Sequence, residues 1–251
     1  MIIDCHAHGF PLQDVNEVDI YEARKLGIGA VCVIGPGEDV MATAAQMGSF
    51  IRPIVQIDMA RALTSDVRRW RTAKAIKFTM PGEPYSAPRY WPLYDACVEE
   101  GLVAVFHSGY LGFYGSESLC VHMKDTQPSE LDWIARNWPE LQIVMAHFGN
   151  PYWDDAFKVV AANANIYADL SGGSAYRRDM ADWARLFAPN GQPRRDVLSK
   201  LMFGTDKTLH KDYNQRAPGY IRFYSDLFFK IGLDSATADL IWQGNAARLF
   251  A

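Results

Sequence analysis

Cysteine is scarce in this chain and unpaired in spacing. Cys5, Cys32, Cys97 and Cys120 lie far apart with no C-x-x-C among them, so neither a disulfide framework nor a zinc ribbon is expected, and all four read as reduced thiols. A basic surplus is also missing. Lys plus Arg number 25 against 29 acids, a net charge of -4, which excludes the electrostatics of non-specific nucleic-acid or anionic-membrane binding. No apolar run approaches the roughly 20 residues of a membrane span. The opening MIIDCHAH lacks the charged and apolar regions of a secretory signal. A cytoplasmic protein acting on a small molecule is the expectation, with no nucleic-acid or membrane partner.

What the chain does have is apolar mass in alternating blocks. At 251 residues with 49% hydrophobic content, it matches the size of one (β/α)8 barrel. Short apolar runs at residues 2–5, 30–34, 51–57, 75–78, 103–106, 142–146, 166–169 and 201–203 read as strands, and eight is the number that closes a barrel. Helical spacing falls between them at 18–26, 90–100, 129–137, 154–162 and 178–187, with a further helix at 220–230 and a closing segment at 235–250. Gly27 and Gly101 supply stop signals. No repeat, low-complexity tract or long linker divides the chain, so residues 1–251 are expected to form one α/β TIM-barrel domain. Cys5 stands between Asp4 and His6, but period-2 alternation turns it to the opposite face from both, which favours packing over nucleophilic attack.

Two connections exceed a minimal turn, 79–89 and 108–127, and loops that follow barrel strands build the active-site face. The second carries Tyr110, Phe113, Tyr114 and His122, a composition suited to covering an organic substrate.

The chemistry concentrates at strand ends. His6 and His8 close the first strand, His107 ends VAVFH, His147 ends IVMAH, and Asp206 ends LMFGTD. Residues two apart on a strand project to one side, so His6 and His8 can reach one ion. The same alternation places Val103, Val105 and His107 on one face, and Ile143, Met145 and His147 on one face. A single strand-end histidine is most often a hydrogen-bonded core residue, but five metal-competent groups on one barrel face are accounted for by one ion. Imidazoles with one carboxylate suit a single divalent metal, zinc first, with manganese, iron or cobalt compatible.

The ordered set I-I-D-C-H-A-H, A-I-K-F, F-H-S-G, A-H-F-G-N-P-Y-W-D-D-A, Y-A-D-L-S-G, F-G-T-D and G-N-A-A-R-L-F resembles the amidohydrolase superfamily. It is closest to the amidohydrolase-related branch that contains the aminocarboxymuconate semialdehyde decarboxylase-like enzymes. The resemblance implies a distorted barrel with a mononuclear centre, His6 and His8 as first-strand ligands, His107 as the fifth-strand ligand, His147 as a ligand or a catalytic residue, and Asp206 as the eighth-strand carboxylate. The chain departs from the pattern at Lys207, where the family often has an aromatic or small residue before proline, and it is shorter than the known decarboxylases.

The expected reaction is hydrolysis of an amide, ester or lactone, since a bound divalent ion lowers the pKa of water from about 15.7 toward 7. Asp206 would take the water's proton and pass it to the leaving group, while His147 helps stabilise the oxyanion. Non-oxidative decarboxylation of an aromatic or unsaturated acid uses the same ligands and is the alternative. A non-catalytic metal-binding barrel is a third reading. Lys77, in the place where binuclear relatives carboxylate a lysine, is expected to stay an ammonium that binds an anionic group. Arg177, Lys207 and His210 are candidate substrate contacts, Tyr110 and Trp153 candidate pocket walls. Trp91, Phe228 and Phe229, if exposed, would suit a homodimer.

Overall fold

The structure, a computed structural model, describes residues 1–9, 14–111 and 122–251; Phe113, Tyr114 and Cys120 lie outside them. Nine strands form a single parallel sheet: β1 (Ile2–His8), β2 (Ile28–Gly35), β3 (Ile51–Asp58), β4 (Ala75–Thr79), β5 (Val103–His107), β6 (Ile143–Ala146), β7 (Ile166–Asp169), β8 (Leu201–Met202) and β9 (Lys207–Thr208). The order is β8-β7-β6-β5-β4-β3-β2-β1-β9. Each of the eight expected strands is present. The ninth is the continuation of the eighth: β8 pairs with β7 and β9 pairs with β1 through Ala7 and His8. Between them, Cys5 N donates to Phe203 O at 2.9 Å and Asp206 N to His6 O at 2.6 Å. The wall therefore closes around the Phe203–Asp206 connection, giving a distorted (β/α)8 barrel.

Inward side chains of alternate strands stack in the interior. Ile3 and Cys5 meet Ala30, Cys32, Ile54, Ala75, Val103, Val105, Val144 and Met202 there, and Phe250 and Ala246 pack beneath them. The terminal helix Asn245–Leu249 thus plugs the N-terminal mouth of the barrel. Asn245 Nδ2 donates to Ser199 O and Leu201 O, both at 2.8 Å, and Arg52 Nη1 donates to Ala246 O at 3.1 Å. Fully burying a phenylalanine contributes about 1.5–3 kcal/mol, so Phe250, fully buried, is a large part of that seal.

Helices cover the outside where the sequence periodicity predicts them, and among the described α-helices of six residues or more two were not anticipated, Gly37–Met47 and Thr64–Arg69. The first begins at a glycine with no side-chain cap. That glycine is required by contact, since a Cβ at Gly37 would stand 2.1 Å from the Trp70 ring. Phe228 is buried in the core, whereas Phe229 is 90% exposed and Trp91 38% exposed. Trp91 stacks on Trp133 at 5.5 Å. No helix among the described residues is long and apolar enough to cross a membrane.

Two alternation arguments need correction. Asp4 pairs with Val31 but Ala7 with Val33, three residues of β1 against two of β2, which is a bulge. Because of it, Cys5 joins the barrel interior while the neighbouring His6 still reaches the site, and Asp4 turns instead to Thr205 and Tyr213. Burial pushes the Cys5 thiol well above its usual range, which leaves it a packing residue. On β6, Val144 faces the interior, while Ile143 and Met145 face the helices. His147 therefore does not share their face by alternation. The strand ends at Ala146, and a left-handed backbone at His147 (φ 64) and Phe148 (φ 46) swings the imidazole into the mouth.

Candidate metal centre

A cavity of about 410 Å³ opens at the C-terminal ends of the strands. Its walls include His6, His8, Lys77, His107, Tyr110, His147, Arg177 and Asp206, together with Gln56, Thr79, Met80 and Asn150. Trp153, Lys207 and His210 do not line it. Trp153 packs against Trp183, 5.7 Å between ring centroids, beneath the Arg178 guanidinium. Lys207 lies over the Tyr220 ring at 5.9 Å. His210 is buried 4.0 Å from the Asp14 carboxylate, and His122 is exposed ahead of the short helix Met123–Thr126.

His6, His8 and Asp206 bring ligand atoms within 4.8 Å of one another. Asp206 Oδ1 lies 3.0 Å from His8 Nε2 and 3.5 Å from His6 Nε2. His147 flanks them, its ring 4.7 Å from that of His6, and His107 follows at 4.8 Å from His147. His107 Nε2 lies 3.3 Å from Tyr110 O.

Asp169, at the end of β7, was missed in the sequence although it sits in the quoted Y-A-D-L-S-G. It is fully buried and organises the cluster. Oδ2 accepts from His6 Nδ1 at 3.0 Å, and Oδ1 accepts from the backbone N–H of His147 at 3.0 Å and of Ser171 at 2.9 Å. A carboxylate so fully engaged acts as a support. It fixes the His6 tautomer with Nδ1–H donating, so that Nε2 presents a lone pair. Its signal in the sequence was the same as that of Asp206: a carboxylate at a strand end.

The electrostatics leave anionic carboxylates among neutral imidazoles. Burial would raise both Asp169 and Asp206, but the surrounding histidines hold each well below the usual carboxylate range. Burial, aided by the Lys77 charge, lowers His6; burial lowers His107 well below its ordinary value and takes His147 down to about 3. Neutral imidazole and ionised carboxylate are the ligand forms a metal requires.

The residues fit an ion. His6 Nε2 is buried without a hydrogen-bond partner, and an orphaned buried polar atom costs about 1–3 kcal/mol. An ion ligated by His6 Nε2, His8 Nε2 and Asp206 would satisfy it. Close approach is built in: Gly172 has φ +63, and a Cβ there would stand 2.7 Å from Asp206 Oδ2 and 3.3 Å from His147 Nδ1. Asp206 itself has φ 58, a conformation that non-glycine residues adopt where surroundings impose it.

The sequence matches the family described as Amidohydrolase over residues 3–251. No curated protein matches it. Among solved structures, an uncharacterised TIM-barrel protein from Bordetella bronchiseptica is similar at 17% identity and TM-score 0.72, covering 99% of this chain and 97% of that one. A probable 2-pyrone-4,6-dicarboxylic acid hydrolase from Acinetobacter baumannii, crystallised with citric acid, is similar at 15% identity and TM-score 0.66, covering 99% and 98%. A 5-carboxyvanillate decarboxylase from Sphingomonas paucimobilis is similar at 13% identity and TM-score 0.67, covering 99% and 98%.

Proposed function

This chain belongs to the amidohydrolase family, and from that premise we propose that residues 1–251 act as one catalytic domain, a metal-dependent hydrolase of an amide, ester or lactone in a small anionic substrate. The observation that carries the reading is the buried, unpartnered Nε2 of His6 beside His8 Nε2 and Asp206 Oδ1. His6, His8 and Asp206 would hold one divalent ion, zinc by the preference of this donor set, with His107 and His147 completing its surroundings. Such an ion supplies Lewis acidity, polarising a carbonyl and lowering the pKa of water from about 15.7 toward 7.

The protein's own groups do the rest. Asp206 stays ionised, so it can accept the attacking water's proton and release it to the departing amine or alkoxide. His147 Nδ1 lies 2.9 Å from Ser171 Oγ. With that hydroxyl donating to Nδ1, the neutral imidazole carries its proton on Nε2, where it can donate to the developing oxyanion. Tyr110 and Arg177, both exposed at the rim, would position the substrate, Arg177 through its guanidinium fork.

Elemental analysis of the purified protein tests the centre directly. One divalent ion per chain is expected, lost in the His6→Ala/His8→Ala double variant, with ester, lactone or amide turnover in the loaded protein. Failure to take up an ion at any loading refutes the reading.

A further inference from the structure

Lys77 lies on β4 with 2% of its surface exposed, and it lines the cavity with an Nζ that has no hydrogen-bond partner. Among the described residues no carboxylate comes within ion-pair distance of it. A buried ammonium left unanswered is more costly than a neutral orphan, so the barrel holds a cation in want of an anion.

Its neighbours are donors as well. Pairing of β3 with β4 sets Gln56 beside Lys77, one inward level above the interior pair Ile54 and Ala75, and sets Asp58 beside Thr79. Gln56 Nε2 is 3.5 Å from Thr79 Oγ1, and Thr79 Oγ1 is 3.4 Å from Ile57 O, so both groups are weakly engaged where they stand. Asp58 is taken up elsewhere, accepting from Ala60 N at 3.1 Å and lying 3.7 Å from Arg61 Nε. Gln56, Lys77 and Thr79 all face the cavity.

Position completes the argument. In the strand order β4 stands four places from β8, and Lys77 shares the cavity with His6, His8 and Asp206. With a divalent ion at the His6–His8–Asp206 side, two carboxylates (Asp169 and Asp206), Lys77 and Arg177 leave a net charge of about +2, which favours an anionic guest. A carboxylate is planar and offers acceptors on two oxygens, matching an ammonium beside an amide and a hydroxyl.

We propose that Lys77, Gln56 and Thr79 form a carboxylate cradle, and that the substrate is an amide, ester or lactone bearing a second, unreacting carboxylate that docks there. This rests on the hydrolase reading. In this reading the docked carboxylate serves as a handle, and the amide, ester or lactone is the group that reacts.

The test is calorimetric titration of metal-loaded wild type, Lys77→Met and Thr79→Val with glutarate and its neutral counterpart glutaramide, with metal content and circular dichroism measured on each. Wild type is expected to bind glutarate and not glutaramide. Lys77→Met should weaken glutarate at least tenfold with its metal retained, and Thr79→Val, which loses one hydroxyl, several-fold. Equal binding of glutarate by Lys77→Met, or of glutaramide and glutarate by wild type, overturns the cradle. So does a carbamate on Lys77 in the carbon-13 spectrum of protein equilibrated with labelled bicarbonate. If wild type held no metal, the hydrolase reading would fail on its own; selection of glutarate through Lys77 would still be read in that metal-free protein.

Discussion

Replacing Lys77 by methionine should make the protein more stable, and the size of the gain follows from its burial. Desolvation lowers the Lys77 ammonium from its ordinary 10.5 to about 8, against the opposing pull of Asp169 and Asp206. The folded state therefore binds fewer protons than the unfolded state between those two values, and stability rises with pH across that window. Below about pH 8 the folded protein bears the whole cost of keeping the amine charged. At about 1.4 kcal/mol per pH unit, the interval from 10.5 to about 8 amounts to about 3 kcal/mol. Methionine fills a similar volume without the charge. Urea unfolding of ligand-free protein should thus show Lys77→Met about 3 kcal/mol more stable at pH 7, the advantage shrinking to about 1 kcal/mol at pH 9.5. A variant that is less stable at pH 7, or whose difference does not change with pH, refutes the reasoning.

Other outcomes are equally direct. Asp169→Asn, which removes the acceptor that holds His6 Nδ1–H, should weaken metal affinity about 10–100-fold as read by competition with a chelator; unchanged affinity would show that His6 needs no such support. Asp206→Asn should abolish turnover while keeping part of the metal, and full activity would remove Asp206 from proton transfer. Phe250→Ala should cost roughly 3–5 kcal/mol, a fall in Tm on the order of 10 °C, with metal content unaffected. Overnight dialysis against a chelator should abolish hydrolysis, and zinc should restore it.

Much of the barrel was legible because parallel strands buried on both faces read as short apolar runs, and all eight of those runs are strands. The division of the last one was not, because Phe203–Asp206 pairs through isolated backbone bonds to Cys5 and His6 that leave no periodic trace. The helix Gly37–Met47 was hidden by a glycine start that only the distant Trp70 explains. Strand-end histidines and Asp206 were visible as metal-competent types, and they meet around one cavity. How they get there was misjudged for His147, since alternation assumes the strand continues and here it breaks into left-handed backbone. Asp169 escaped notice because its work is to hold other residues, and that depends on bonds to His6, His147 and Ser171.

The plug made by Phe250 and the terminal helix has a bearing on traffic. With the far end of the barrel stoppered, the described residues leave arrivals and departures one doorway, the rim where Tyr110 and Arg177 stand. Accumulated product should therefore compete with fresh substrate for the same chamber.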